Sequence, residues 1–131
     1  MVRILDANAL MVYFEREPAF EKVKSFFTSA LDTDRNLLMT SVNYGEVYYI
    51  VLRRYGELKA REIDNAIQQL PIEIVEVDAV LAKQAARFKA TKKMSYADCF
   101  AAALGKLRKG EVITGDKEFK EVEKEVKIAW I

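Results

Sequence analysis

Histidine is absent from this sequence and cysteine occurs once, at Cys99. Without imidazole the chain has neither the commonest general base nor the ligand that zinc and non-haem iron sites prefer. One cysteine set among small apolar residues (ADCFAAAL) excludes a disulfide framework, a cysteine-rich zinc site and a Cys–His nucleophile pair. A reducing cytoplasm suits such a chain. No apolar run approaches the roughly 18 residues of a membrane span, and MVRILDANAL has none of the three zones of a signal peptide, so the expectation is a soluble protein. Neither charge dominates: 21 Lys and Arg face 20 Asp and Glu, a net charge of +1. A simple DNA-coating protein would carry a basic excess, so any nucleic acid must be met by local patches.

What is present is apolar and periodic. The 131 residues, 51% of them hydrophobic, suffice for one domain over 1–131 with a buried core, and no repeat, linker or low-complexity tract divides them. VRIL (2–5) reads as a short buried strand, LLMTSV (37–42) as a second, IEIVEV (72–77) as a third, EVIT (111–114) as a fourth and VKIAWI (126–131) as a closing one. Helical spacing runs through ANALMVYFER until Glu17-Pro18. Pro18 then suits the first turn of a helix through AFEKVKSFFTSAL. Gly56 separates VNYGEVYYIVLRRY from ELKAREIDNAIQQL, which Pro71 stops, and AVLAKQAARFKATKK precedes SYADCFAAALGKLRKG, with Ser95 as cap and Gly110 as terminator. DKEFKEVEKE reads as a short polar helix or turn. Strands separated by helices, with no hairpin signal, predict a parallel three-layer α/β/α sheet.

Four acids stand out against this background: Asp6 after the first strand, Glu46 and Asp98 inside apolar helices, and Asp116 after the fourth strand. Each has an ordinary alternative. Asp6 is a favoured N-cap for the helix starting at Ala7, Asp98 stands three residues after Ser95 as in a capping box, and Asp116 suits a turn. Glu46 is harder to dismiss, because its helix has no wide polar face to shelter it. Taken together, two acids leave apolar strands where open α/β sheets place ligands, and two lie on helices that could cross those ends. Four converging carboxylates repel unless a cation sits among them, and an all-oxygen set suits Mg²⁺ or Mn²⁺. Asn8 and Thr114 supply short polar groups beside Asp6 and Asp116.

Competing constellations fit less well. There is no Gly-rich turn with Lys-Ser/Thr for a P-loop, and Asn8 stands where a DxD phosphatase would need its second acid. Tyr13, Tyr44, Tyr48, Tyr49, Phe26 and Phe27 read as core or interface rather than base-stacking platforms.

Through ILDANAL, TSVNYGEV, SYADCFAAAL and TGDKEF, in that order along essentially the whole chain, the sequence resembles a PIN domain, and among these the compact VapC toxins of prokaryotic toxin–antitoxin pairs. The resemblance implies a five-stranded, mostly parallel sheet of order 3-2-1-4-5 with helices on both faces, and it matches Asp6, Glu46, Asp98 and Asp116 to the family's acidic quartet. Ala7 departs from the small hydroxyl residue many relatives carry there. The implied activity is metal-dependent hydrolysis of RNA phosphodiester bonds with Mg²⁺ or Mn²⁺. The implied partners are an RNA substrate, a cognate VapB-like antitoxin and a second copy in a homodimer, with no membrane. Candidate strand-guiding cations are Arg53 and Arg54 after the Glu46 helix and Lys92 and Lys93, with Lys83, Arg87 and Lys89, before the Asp98 helix; a solvated helix face is the ordinary reading of each. Two rivals stay open: a catalytically silent PIN-like module binding RNA or protein, and another metal-dependent phosphohydrolase.

Overall fold

Side chains alternate across the strands so completely that the core divides in two. In a computed structural model describing residues 1–131, the strands are β1 (Arg3–Leu5), β2 (Leu37–Thr40), β3 (Ile72–Val75), β4 (Glu111–Thr114) and β5 (Lys127–Trp130). All neighbours are parallel, in the order β3-β2-β1-β4-β5. Ile4, Leu38 and Val112 share one buried cluster, while Leu5, Leu37, Met39 and Ile113 belong to another. A parallel strand covered on both faces must be apolar at successive positions, which is why these runs read as continuous rather than alternating. The first cluster takes in α5 (Ala79–Thr91), α6 (Tyr96–Leu107) and the 3-10 turn Lys117–Val122. The second takes in α1 (Ala7–Phe14), α2 (Phe20–Asp32), α3 (Ser41–Tyr55) and α4 (Glu57–Gln69). The three-layer architecture and strand order expected from the sequence are present.

Chain boundaries depart from the sequence reading where a polar group intervenes. The second strand ends at Thr40, not at Val42, because the Thr40 hydroxyl accepts the Asn43 amide at 3.1 Å and starts α3 immediately. The third ends at Val75 rather than Val77. Pro18 precedes α2 instead of occupying its first turn, since helical structure begins at Phe20. Gly56, with φ +89°, closes α3 and opens α4.

Gly110 has a different role from the one its position suggests. The left-handed residue after α6 is Lys109, at φ +51°, and the Gly110 amide donates to the Gly105 carbonyl at 2.9 Å in a Schellman closure. Glycine is required at 110 by crowding, because a Cβ there would lie 2.5 Å from the Val2 carbonyl oxygen. The segment 117–122, expected to be polar, buries Phe119 and Val122 completely, which anchors it under the sheet edge beside α6. The Tyr and Phe residues behave as core or surface packing: Tyr13 stacks on Phe20 at 5.1 Å and meets Phe27 edge-on at 4.9 Å.

Close approach of α6 to the sheet sets where Asp98 points. Ala101, Ala102, Ala103 and Gly105 are buried on α6, and a Cβ at Gly105 would meet the Val112 and Val126 side chains at 2.9 and 3.0 Å. Gly105→Ala is therefore expected to destabilise the protein by about 1–3 kcal/mol despite its better helix propensity, measured by urea unfolding. An unchanged or raised midpoint would show that α6 can shift away from the sheet at no cost.

Candidate metal centre

The acids gather where β1 and β4 end side by side. Leu5 pairs with Ile113 and the Asp6 amide donates to the Ile113 carbonyl, so the two chains leave the sheet together. Asp6 is fully buried and caps α1, its Oδ1 accepting the Ala9 amide at 2.8 Å. The capping reading is therefore true of one oxygen only. Asp6 Oδ2 is sealed from solvent and has no hydrogen-bond partner, and the same holds for Oε1 of Glu46. A buried, unpartnered carboxylate oxygen is costly, and most are compensated by a donor or a cation.

Glu46 is brought in by α3, whose register is fixed by Asn43. The Thr40 hydroxyl donates to Asn43 Oδ1 at 2.6 Å, while Asn43 Nδ2 donates to the Ala97 carbonyl at 3.0 Å. Asn43 is fully buried and ties the helix of Glu46 to the helix of Asp98. Sequence reasoning missed it; its signal was a Thr-x-x-Asn pair one turn before the Glu, which reads as an ordinary cap.

Asp98 does not use the capping box its spacing suggested. Ser95 Oγ accepts the Asp98 amide at 3.2 Å, but the reciprocal bond to the Ser95 amide comes from Glu118, whose Oε1 accepts it at 2.9 Å. A residue 23 positions away has taken the role, leaving the Asp98 carboxylate free to face the other acids. Glu118 is the second residue the sequence reading overlooked. It stands two positions after Asp116 in TGDKEF, and in a segment read as a short polar helix or turn it gave no sign of turning back. Donor oxygens of Asp98, Asp116 and Glu118 lie within 4.8 Å of one another.

Supporting contacts hold the far side. Asp116 caps the 3-10 turn by accepting the Glu118 amide at 2.9 Å, and its own amide donates to Thr114 Oγ1 at 3.0 Å. Asn8 Oδ1 accepts the Gly115 amide at 2.8 Å, pinning the loop after β4 to α1. Asn8 and Thr114 thus brace the acids without being acids. Above them opens a cleft of about 290 Å³, whose lining includes Asn8, Glu15, Glu46, Arg54, Asp98 and Asp116. Of the candidate cations, Arg54 alone lines it. Arg53 stacks over Tyr49 at 5.2 Å, Lys92 pairs with Glu125 at 3.3 Å, and the Lys93 backbone amide is held by Glu121.

Protonation follows from this crowding. Burial raises the Asp6 carboxyl to about 7, helped by Asp116 and Glu46 and opposed by the nearby Thr114 hydroxyl and the Ala9 amide. Burial also raises Glu46, with Asn43 opposing and Asp116 adding to the rise. Asp98 is raised by burial first and then by Glu118 and Asp116, whereas Glu118 is lowered by the Ser95 amide and by Asp98. Burial thus favours the protonated forms of Asp6, Glu46 and Asp98. The two unpartnered oxygens and the all-carboxylate donor set fit a hard divalent cation, which would replace such protons.

The PIN domain family profile matches residues 3–125. The chain belongs to the PIN domain family. Among relatives of this PIN domain, ribonuclease VapC30 of Mycobacterium tuberculosis is 29% identical over 111 residues, covering 79% of this chain and 82% of that protein. In structure it resembles VapBC2 from Rickettsia felis, solved bound to a promoter DNA fragment, with a TM-score of 0.81, 14% identity and coverage of 100% of this chain and 99% of the other. It also resembles Mycobacterium tuberculosis VapC20, a sarcin–ricin loop cleaving toxin, with a TM-score of 0.71, 15% identity and coverage of 90% and 92%. No helix of this PIN domain is long and apolar enough to cross a membrane.

Asp6→Asn preserves the cap, since Asn caps as well as Asp, and removes the buried charge. Below pH 3.8 both folded and unfolded chains hold the Asp6 proton. Between 3.8 and about 7 only the folded chain holds it, so stability from this group falls as pH rises and the full cost is borne above 7. Thermal unfolding without metal should find Asp6→Asn more stable than wild type at pH 8 by on the order of 2 kcal/mol, with the gain gone near pH 4. Equal stability at both pH values would mean that the Asp6 charge is already compensated.

Proposed function

We propose that this PIN domain is a metal-dependent endoribonuclease, the toxin of a VapBC-type toxin–antitoxin pair, acting through Asp6, Glu46, Asp98 and Asp116 with Glu118 as a fifth acid. The observation that carries the reading is the pair of buried carboxylate oxygens without partners, Asp6 Oδ2 and Glu46 Oε1, on carboxyls that both feel Asp116 of the Asp98, Asp116 and Glu118 cluster. Family membership and the name of the relative VapC30, a ribonuclease, support the reaction class. The metal is Mg²⁺ or Mn²⁺, chosen by oxygen ligands and the absence of histidine. The working protein is one PIN domain in the cytoplasm, homodimeric, and restrained by a VapB-like antitoxin.

A bound divalent ion supplies charge neutralisation for the phosphate, activation of water and stabilisation of the departing 3′ oxygen. The protein's part is to prepare the donors. Asp6, Asp98 and Asp116 would hold the ion directly, and Glu46, on α3, would hold a further ion or orient the attacking water. Glu118 keeps the first turn of α6 in place by accepting the Ser95 amide. Thr114 and Asn8 fix the loop that presents Asp116. No side chain in the cleft is needed as a covalent nucleophile, because water suffices once it is oriented. Without cation the carboxylates repel the phosphate they must bind.

Cleavage of single-stranded and hairpin RNA, with gel readout, tests this directly. Chelator should abolish cleavage and Mn²⁺ restore it, while Asp98→Asn should lower the rate at least about 100-fold, about 2.7 kcal/mol of barrier. Full activity in chelator would sink the mechanism. In parallel, Mn²⁺ at about 100 times its Kd should stabilise wild type by roughly 2.7 kcal/mol and Asp98→Asn much less. Metal stabilisation without RNA cleavage would favour another phosphohydrolase, and no metal response would favour a silent binding module.

A further inference from the structure

Five carboxylates and one cation line the cleft: Glu15, Glu17, Glu46, Asp98, Asp116 and Arg54. That single cation is already engaged. Arg54 Nη1 lies 3.2 and 3.3 Å from the two oxygens of Glu15, and the Tyr55 hydroxyl donates to Glu15 Oε2 at 2.7 Å. The Arg54 and Glu15 side chains are 55% and 25% exposed, so solvent screens the pair and it contributes little to stability. If Arg54 turned away, Glu15 would keep the Tyr55 hydroxyl as a partner. The pair is therefore easily exchanged, with no buried charge stranded on either side.

We propose that Arg54 is the phosphate-contacting residue of the cleft and that Glu15 is its internal competitor, holding the guanidinium until a nucleic-acid phosphate displaces the carboxylate. This rests on the endoribonuclease reading and adds a named contact and a built-in restraint to it. Arg54 follows Glu46 by eight residues on α3, about 12 Å of helix rise, so it meets a phosphate flanking the one at the acids, not the reacting one. Guanidinium suits the task because its fork matches phosphate oxygens as well as it matches a carboxylate. Among the other candidates, Arg53, which lies over Tyr49, and Lys92, which pairs with Glu125, do not line the cleft. A strand entering the cleft would find its only positive side chain at Arg54, whose Nη1 is held by Glu15.

A double-mutant cycle separates this exchange from a mere strut between α1 and α3. The probe is a fluorescein-labelled single-stranded RNA titrated with wild type, Arg54→Gln, Arg54→Lys, Glu15→Gln and the Glu15→Gln/Arg54→Gln double variant in Ca²⁺ at several salt concentrations. Arg54→Gln should weaken binding about tenfold and reduce the log–log salt slope by about 0.7; Arg54→Lys should keep the slope. Glu15→Gln should tighten binding several-fold in wild type and have no such effect once Arg54 is gone. In Mn²⁺, Arg54→Gln should raise KM and leave kcat within about twofold. The proposal is overturned if Arg54→Gln leaves affinity and slope unchanged, if Glu15→Gln weakens binding as Arg54→Gln does, or if its gain persists without Arg54. Arg54-dependent binding by a wild type that cleaves no RNA in Mn²⁺ would uphold the contact and overturn the enzymatic reading. Cleavage by wild type with none of the Arg54 effects would do the reverse.

Discussion

Mutual repulsion among carboxylates organises this molecule. Asp6, Glu46, Asp98 and Asp116 come from four separate stretches of chain and converge at the carboxyl edge of the sheet, where β1 and β4 lie side by side. A fold that spends stability in this way must recover it elsewhere, and here the two apolar layers do so, each built on 16 buried residues packed against strand side chains of alternating direction. Ligand sites at this edge are a general property of open parallel sheets, since helices and strands leave a crevice there. The chemistry is particular to this chain, because the crevice is filled with acids, among which burial raises the Asp6 and Glu46 carboxyls.

The polar scaffolding explains how charges that repel are kept in register. Three of the acids are each held through one oxygen that accepts a backbone amide: Asp6 from Ala9, Asp116 from Glu118, and Glu118 from Ser95. Helix and turn starts thus double as mounts. Asn43 performs the corresponding service between helices, with one end on Thr40 and the other on Ala97. Such bonds are individually modest, but they are short-range and directional, so they fix geometry that non-directional apolar packing alone would leave loose.

Much of this was legible in the sequence because it depends on local pattern. Apolar runs of four residues bounded by turn signals gave the strands, and helical periodicity between them gave the layers. The strand order came from the family resemblance, not from pattern. Asp6 and Asp116 could be singled out because they come just after apolar strands, and Glu46 because its helix has no wide polar face. What could not be read was long-range substitution of a local role. Ser95 and Asp98 have the spacing of a capping box, yet Glu118 supplies the returning bond. Nothing within a helix's own sequence announces that a distant residue will take over its cap. Likewise, Gly110 looks like a helix terminator while Lys109 adopts the left-handed conformation, and only the nearness of the Val2 carbonyl reveals why glycine is there.

The turn between α5 and α6 is gripped from two sides. Lys89 Nζ donates to the Met94 carbonyl at 2.8 Å, Glu121 accepts the Lys93 amide at 2.9 Å and Glu118 accepts the Ser95 amide at 2.9 Å. The two amides owe their partners to the 3-10 segment near the end of the chain, although they stand at the entrance to the helix of Asp98. Hydrogen exchange at Lys93 and Ser95 consequently reads different things at neighbouring addresses. Lys93 registers whether the C-terminal segment is docked, and Ser95 registers, in addition, what Glu118 is bound to. A change confined to Ser95 would be a record of the acids rearranging within an intact fold, written in the backbone and visible without any substrate.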